Sequence, residues 1–136
     1  MLRLAAYLQF LLAIGHIIVM PWLDEAFRLY GINTIMERIA THGAILPYII
    51  TLIIALGFTI CGLYALSACG RIRKLPLLWS GIFAIAAVFI GRAMMGVYWM
   101  DSSHNFEFTS LSATLASGFI GLLYLIGGIN QLRKPL

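Results

Sequence analysis

The chain has 136 residues, 62% of them hydrophobic and only 10% charged, with a mean hydropathy of +0.97. A soluble domain carries about 25% charged residues, so the composition excludes a soluble globular protein and points to an integral membrane protein. Residues 1–136 read as one compact domain, and the net charge of +4 is not a nucleic-acid signal, because of where the charges fall.

Arg3, Arg71, Arg73, Lys74, Arg133 and Lys134 lie at the N-terminus, in one short loop and at the C-terminus. Asp24, Glu25, Glu37, Asp101 and Glu107 lie in the other two loops, with Arg28 and Arg38. Basic short loops stay cytoplasmic. The pattern predicts an all-α fold, an antiparallel four-helix membrane bundle with both termini inside. The spans cover about 4–22, 44–68, 76–100 and 111–132.

Met1-Leu2-Arg3 before an apolar run imitates a secretion signal. Pro21-Trp22 stands where a small-residue cleavage site would be needed, so the run reads as an uncleaved first helix. Within it Gln9 lies toward the cytoplasm and His16 toward the outside. The segment from Leu23 to His42 repeats Phe27, Tyr30, Ile35, Met36, Ile39 and Ala40 at helical spacing, interrupted by Gly31. It predicts two short external amphipathic helices, the second started by a Thr34-x-x-Glu37 capping box. They would anchor at the interface or cover a cavity as a lid.

Span two has Pro47 in its first turn and a strip of Gly57, Cys61, Gly62 and Ala65 suited to close helix packing. Cys61 and Cys69 are about 12 Å apart along a helix, too far for a disulfide, and no C-x-x-C pair exists. Gly70 is placed to cap span two and Pro76 to open span three.

Span three, Pro76 to Met100, contains one charge, Arg92. A guanidinium inside the hydrocarbon costs about 2.5–3.5 kcal/mol on insertion scales, so such a residue is a functional candidate by default. Ser80, Gly81, Ala84, Ala87 and Gly91 form a strip expected to face a neighbouring helix. Helical rise puts Arg92 and His16 at similar depth in the outer half. Span four carries Thr114, Ser117, Gly118, Gly121, Tyr124 and Gly128 near one stripe.

The candidate ligand-binding set is Arg92, His16, Tyr98, Asp101, Glu37 and His42, with His104 and Glu107 as possible additions. The planar fork of Arg92 suits a phosphate or carboxylate, and His16 would relay a proton. The competing structural reading pairs Arg92 with Asp101 or Glu107, or bonds it to carbonyls at the end of span one. No metal site and no cofactor is predicted: only His16 is well inside, and neither C-x-x-C-H nor H-x-x-x-H occurs. A small drug exporter would need a glutamate inside span one, where only Gln9 and His16 are polar. The arginine- and asparagine-rich motif of the glutathione-transferase-like membrane enzymes is not visible.

The stretch Tyr64-Ala-Leu-Ser-Ala-Cys-Gly-Arg-Ile-Arg-Lys-Leu-Pro-Leu-Leu78, followed by Gly81 and Arg92, resembles a group of small bacterial inner-membrane proteins of uncharacterised activity. Their pattern is a span ending Y-A-L-S-G-A-G, a basic pair with L-P-L-L, and a span with arginine followed by glycine. This chain departs at Cys69 and at Ala93. The resemblance implies a bacterial, multi-pass inner-membrane protein and carries no activity with it.

Together these features predict a non-enzymatic membrane protein whose polar outer cavity binds a lipophilic or anionic amphiphile, or a partner helix. The rival classes are an enzyme or redox helper acting on a quinone or lipid, and a structural accessory subunit. Expected partners are membrane lipids, a lipophilic ligand, and a membrane protein or second copy.

Overall fold

The structure is a computed structural model, and it describes residues 1–103 and 108–133. Every regular element among them is helical. The order is α1 (Leu2–Ile18), a 3-10 turn (Met20–Trp22), α2 (Leu23–Leu29), α3 (Asn33–Ala40), α4 (Leu46–Ala68), α5 (Leu78–Ser103) and α6 (Phe108–Leu132). Among the described residues α4, α5 and α6 are each long and apolar enough to cross a membrane. The segments Leu2–Ile18 and Met20–Leu29 qualify only together, bent by 54°. Pro21, in the first turn of the 3-10 segment, stands at that elbow.

Two glycines set the helix ends. α2 closes with Gly31 at φ 67°, its N–H on the Arg28 carbonyl and the Ile32 N–H on the Phe27 carbonyl. α4 closes in the same way, with Gly70 at φ 69° bonded to Ser67 and Arg71 bonded to Leu66. Both are the paired bonds of a left-handed C-terminal cap, which costs a residue with a Cβ more than glycine. The hairpin beyond Gly70 is then pinned by Ser67, whose hydroxyl donates to the Arg73 carbonyl at 2.9 Å and accepts from the Leu75 N–H at 3.0 Å.

Other boundaries differ from the sequence-based ones. α5 begins at Leu78, because Pro76 and Leu77 form a turn with Leu77 at φ 50°. The capping box does not form: Ile32 is the N-cap of α3, no side chain caps it, and Thr34 lies inside the helix. α6 starts at Phe108, before the expected residue 111, and α5 runs on to Ser103.

α1 packs mainly on α4 and α5 mainly on α6, and the two pairs join through α4 with α5 and α1 with α6. Their common core is Leu2, Ala5, Ala6, Ala65, Ile82, Ala86, Phe89, Ile120, Leu123 and Tyr124. Four of these ten are alanines, and such small side chains let backbones approach, which is what drives helix association where lipid is as apolar as leucine. At one end of the assembly Met1, Arg3, Cys69, Asn130 and Gln131 line a shared cleft. At the other, the Thr109 hydroxyl donates to the Leu29 carbonyl at 3.0 Å and ties α2 across to the start of α6. The first is called the basic end below, and the second the acidic end.

Candidate functional site

Arg92 lies fourteen residues after Leu78 and eleven before Ser103, about 21 Å along α5 and just past its midpoint. Its side chain is exposed on the outside of the helix assembly and makes no hydrogen bond or ion pair with any described residue. The expected structural partner Asp101 does not answer it. Nine residues are two and a half helical turns, so the two side chains leave α5 on opposite sides. Glu107, the other candidate partner, lies outside the described residues, as does His104.

The surroundings of Arg92 also differ from expectation. Ser80, Ala84, Ala87 and Gly91 do not face a neighbouring helix: all four are exposed, and a Cβ on Gly91 would meet nothing within 4 Å. The buried face of α5 is Ile82, Ala86, Phe89 and Met100, with Gly96 seated against Thr114. Of the small-residue strip only Gly81 packs, against the ring of Tyr64. Arg92 therefore stands at the end of an open, shallow face of small residues. Val88, Met95 and Trp99, at spacings of −4, +3 and +7, share its side of the helix and are exposed. Trp99 is the neighbour that the sequence analysis missed in favour of Tyr98, which lies about a third of a turn away around the helix.

The remaining candidates are dispersed. His16 is half-buried; its Nδ1 donates to the Leu12 carbonyl at 2.8 Å, and its ring lies 5.0 Å from that of Phe58. That bond holds the proton on Nδ1 in the neutral ring and leaves Nε2 as an acceptor. Its partners are thus on α1 and α4, and it makes no bond to Arg92. Tyr98 is exposed, and its carbonyl accepts from the Ser102 hydroxyl at 2.9 Å. Glu37 is exposed on α3. His42 is exposed just after α3, its Nδ1 3.3 Å from both the Arg38 carbonyl and the Thr41 hydroxyl. Among the described residues no three His, Cys, Asp or Glu side chains come together as a metal-binding group.

The polar centre of the molecule is elsewhere, and the sequence analysis did not single it out. Tyr124 on α6 and Gln9 on α1 are both fully buried. The Tyr124 hydroxyl donates to the Cys61 carbonyl of α4 at 2.7 Å. Gln9 is a polar neighbour of that hydroxyl, yet neither of its amide atoms reaches hydrogen-bond geometry with a described residue. The position of Gln9 one heptad after Leu2, on the face of α1 that carries Ala5, Ala6 and Ala13, is the signal that would have found it.

Comparison of the chain with protein-family models, with curated proteins and with solved structures finds no match. The site has to be interpreted from its own chemistry.

Proposed function

We propose that this chain is a four-span bacterial inner-membrane protein, termini inside, that binds an anionic amphiphile along the open face of α5. The supporting observation is Arg92: a guanidinium near the middle of a membrane-length helix, exposed, with no partner among the described residues. Such a charge is costly in hydrocarbon, and a phosphate or carboxylate drawn down to it offsets that cost with bidentate, charge-assisted hydrogen bonds. Gly91, Ala87 and Ala84 leave room beside it for an acyl chain. Trp99, two turns nearer the acidic end, is an amphipathic ring of the kind that collects at headgroup depth.

Native mass spectrometry after gentle extraction tests this reading. Wild-type protein should carry an anionic lipid or fatty acid, and the Arg92→Leu variant should lose it while keeping its thermal stability. Equal retention by the variant would refute the assignment. One observation favours a second reading: Gly91 has open space around it, as a seat for a partner helix does. In that case the same spectrum would show a second polypeptide, and Gly91→Ile would remove it.

A further inference from the structure

The elbow between α1 and α2 holds a feature independent of Arg92. Between the 3-10 turn, α2 and the first turn of α4 lies an open cleft of about 300 Å³. Its lining includes Trp22, Tyr48, Asp24, Glu25 and Arg28. Leu23, 3% exposed, roots the turn in the protein, and the bond from Thr109 to the Leu29 carbonyl holds the far end of α2.

We infer that this cleft binds an organic ammonium group, primary or quaternary, of an amine-bearing headgroup. Three observations converge. Asp24 and Arg28 are spaced i, i+4, and Glu25 and Arg28 i, i+3, separations at which opposite charges usually pair on a helix. No ion pair forms between them, so all three charges remain available to a ligand. Two carboxylates against one guanidinium leave the cleft with net negative charge, which selects a cation. Trp22 and Tyr48 bring two aromatic side chains to the same lining, and an alkylated ammonium, weakly hydrated, gains from such rings what a hydrated inorganic ion does not. A divalent metal is the poorer fit, since it needs six or more oxygen ligands and the lining offers two carboxylates beside aromatic residues. Arg28, in the same lining, suits a phosphate adjoining the ammonium, as in a zwitterionic headgroup. The cleft begins where the apolar run of α1 ends, at Pro21 and Trp22, the level at which such headgroups lie.

The ammonium has two sources, a membrane lipid or a soluble amine, and nanodiscs separate them. The protein, 15N-labelled, is placed in discs of phosphatidylglycerol alone, and the indole N–H signal of Trp22 is followed by NMR, with that of Trp79 as the fold control. A Trp22→Phe sample assigns the signal. Exchanging half the lipid for phosphatidylethanolamine should move the Trp22 signal and leave Trp79 in place. Tetramethylammonium or phosphoethanolamine added to the phosphatidylglycerol discs, against matched sodium chloride, should move it if the source is soluble. A response to either probe supports ammonium recognition. In the Asp24→Asn, Glu25→Gln double variant at least tenfold more probe should be needed, and Tyr48→Leu repeats the test through the aromatic wall should the first variant misfold. The Arg92→Leu variant should respond as wild type, which separates this site from the amphiphile face. A Trp22 signal that ignores all three probes, or responds undiminished in both cleft variants, would overturn the inference.

Discussion

The Tyr124 hydroxyl donates to the Cys61 carbonyl at 2.7 Å, joining α6 to α4 where all four long helices meet. The Cys61 carbonyl belongs to a helix and already has its N–H partner four residues on, so the phenol adds a second bond to it. Removing the phenol oxygen should thus leave no acceptor stranded. The Tyr124→Phe variant is expected to lose about 0.5–1.5 kcal/mol of stability, within the range of a net hydrogen bond, read by SDS-titration unfolding followed by circular dichroism.

Gln9 should behave in the opposite sense. Both its amide atoms are buried without a hydrogen-bond partner among the described residues, a state that costs about 1–3 kcal/mol. Gln9→Met keeps the length of the side chain and removes the amide, and should stabilise the protein by about that amount in the same titration. A loss of stability instead would mean that the amide is paired when the protein sits in a bilayer.

The glycines divide by what surrounds them. A Cβ at Gly121 would lie 2.7 Å from Ile90 Cγ1 and 3.0 Å from the Ile90 backbone nitrogen, and backbone does not yield cheaply. Gly121→Ala should separate α5 from α6 at a cost of about 1–3 kcal/mol. Gly91→Ala meets nothing within 4 Å and should be neutral or raise stability by up to about 1 kcal/mol through helix propensity. Thermal unfolding of the two variants side by side measures the contrast.

The hairpin between α4 and α5 depends on one hydroxyl. Ser67 is 2% exposed and serves both the Arg73 carbonyl and the Leu75 N–H. Ser67→Ala strands two backbone groups, so a destabilisation of about 1–3 kcal/mol is expected. Proteolysis within residues 71–75 should rise in parallel, because the hairpin would open before the helices separate.

Much of this architecture was legible from residue order. The break at Gly31 and the cap at Gly70 were readable because glycine enters the left-handed turn that ends a helix at little cost, and that preference is local. The helical content of residues 23–42 followed from periodicity, although the capping box was misplaced because Ile32 already closes the preceding turn. The facing of α5 was not legible. It carries two apolar stripes, one of small residues ending at Gly91 and one through Ile82, Ala86 and Phe89, and in lipid either is acceptable on the outside. Shape complementarity with Ile120, Leu123 and Tyr124 chose the bulkier stripe, and that choice turned Arg92 outward.

Arg92 shows the division best. Composition and hydropathy by themselves determined that it lies within a membrane-length helix, since length and apolarity are properties of the segment alone. Which direction it points, that Asp101 leaves the helix on the far side, and that Gln9 and not His16 is the buried polar side chain of α1 were decided only in three dimensions. Those outcomes depend on which faces of α1, α4, α5 and α6 fit one another, and fit is a property of pairs of helices that no single segment encodes.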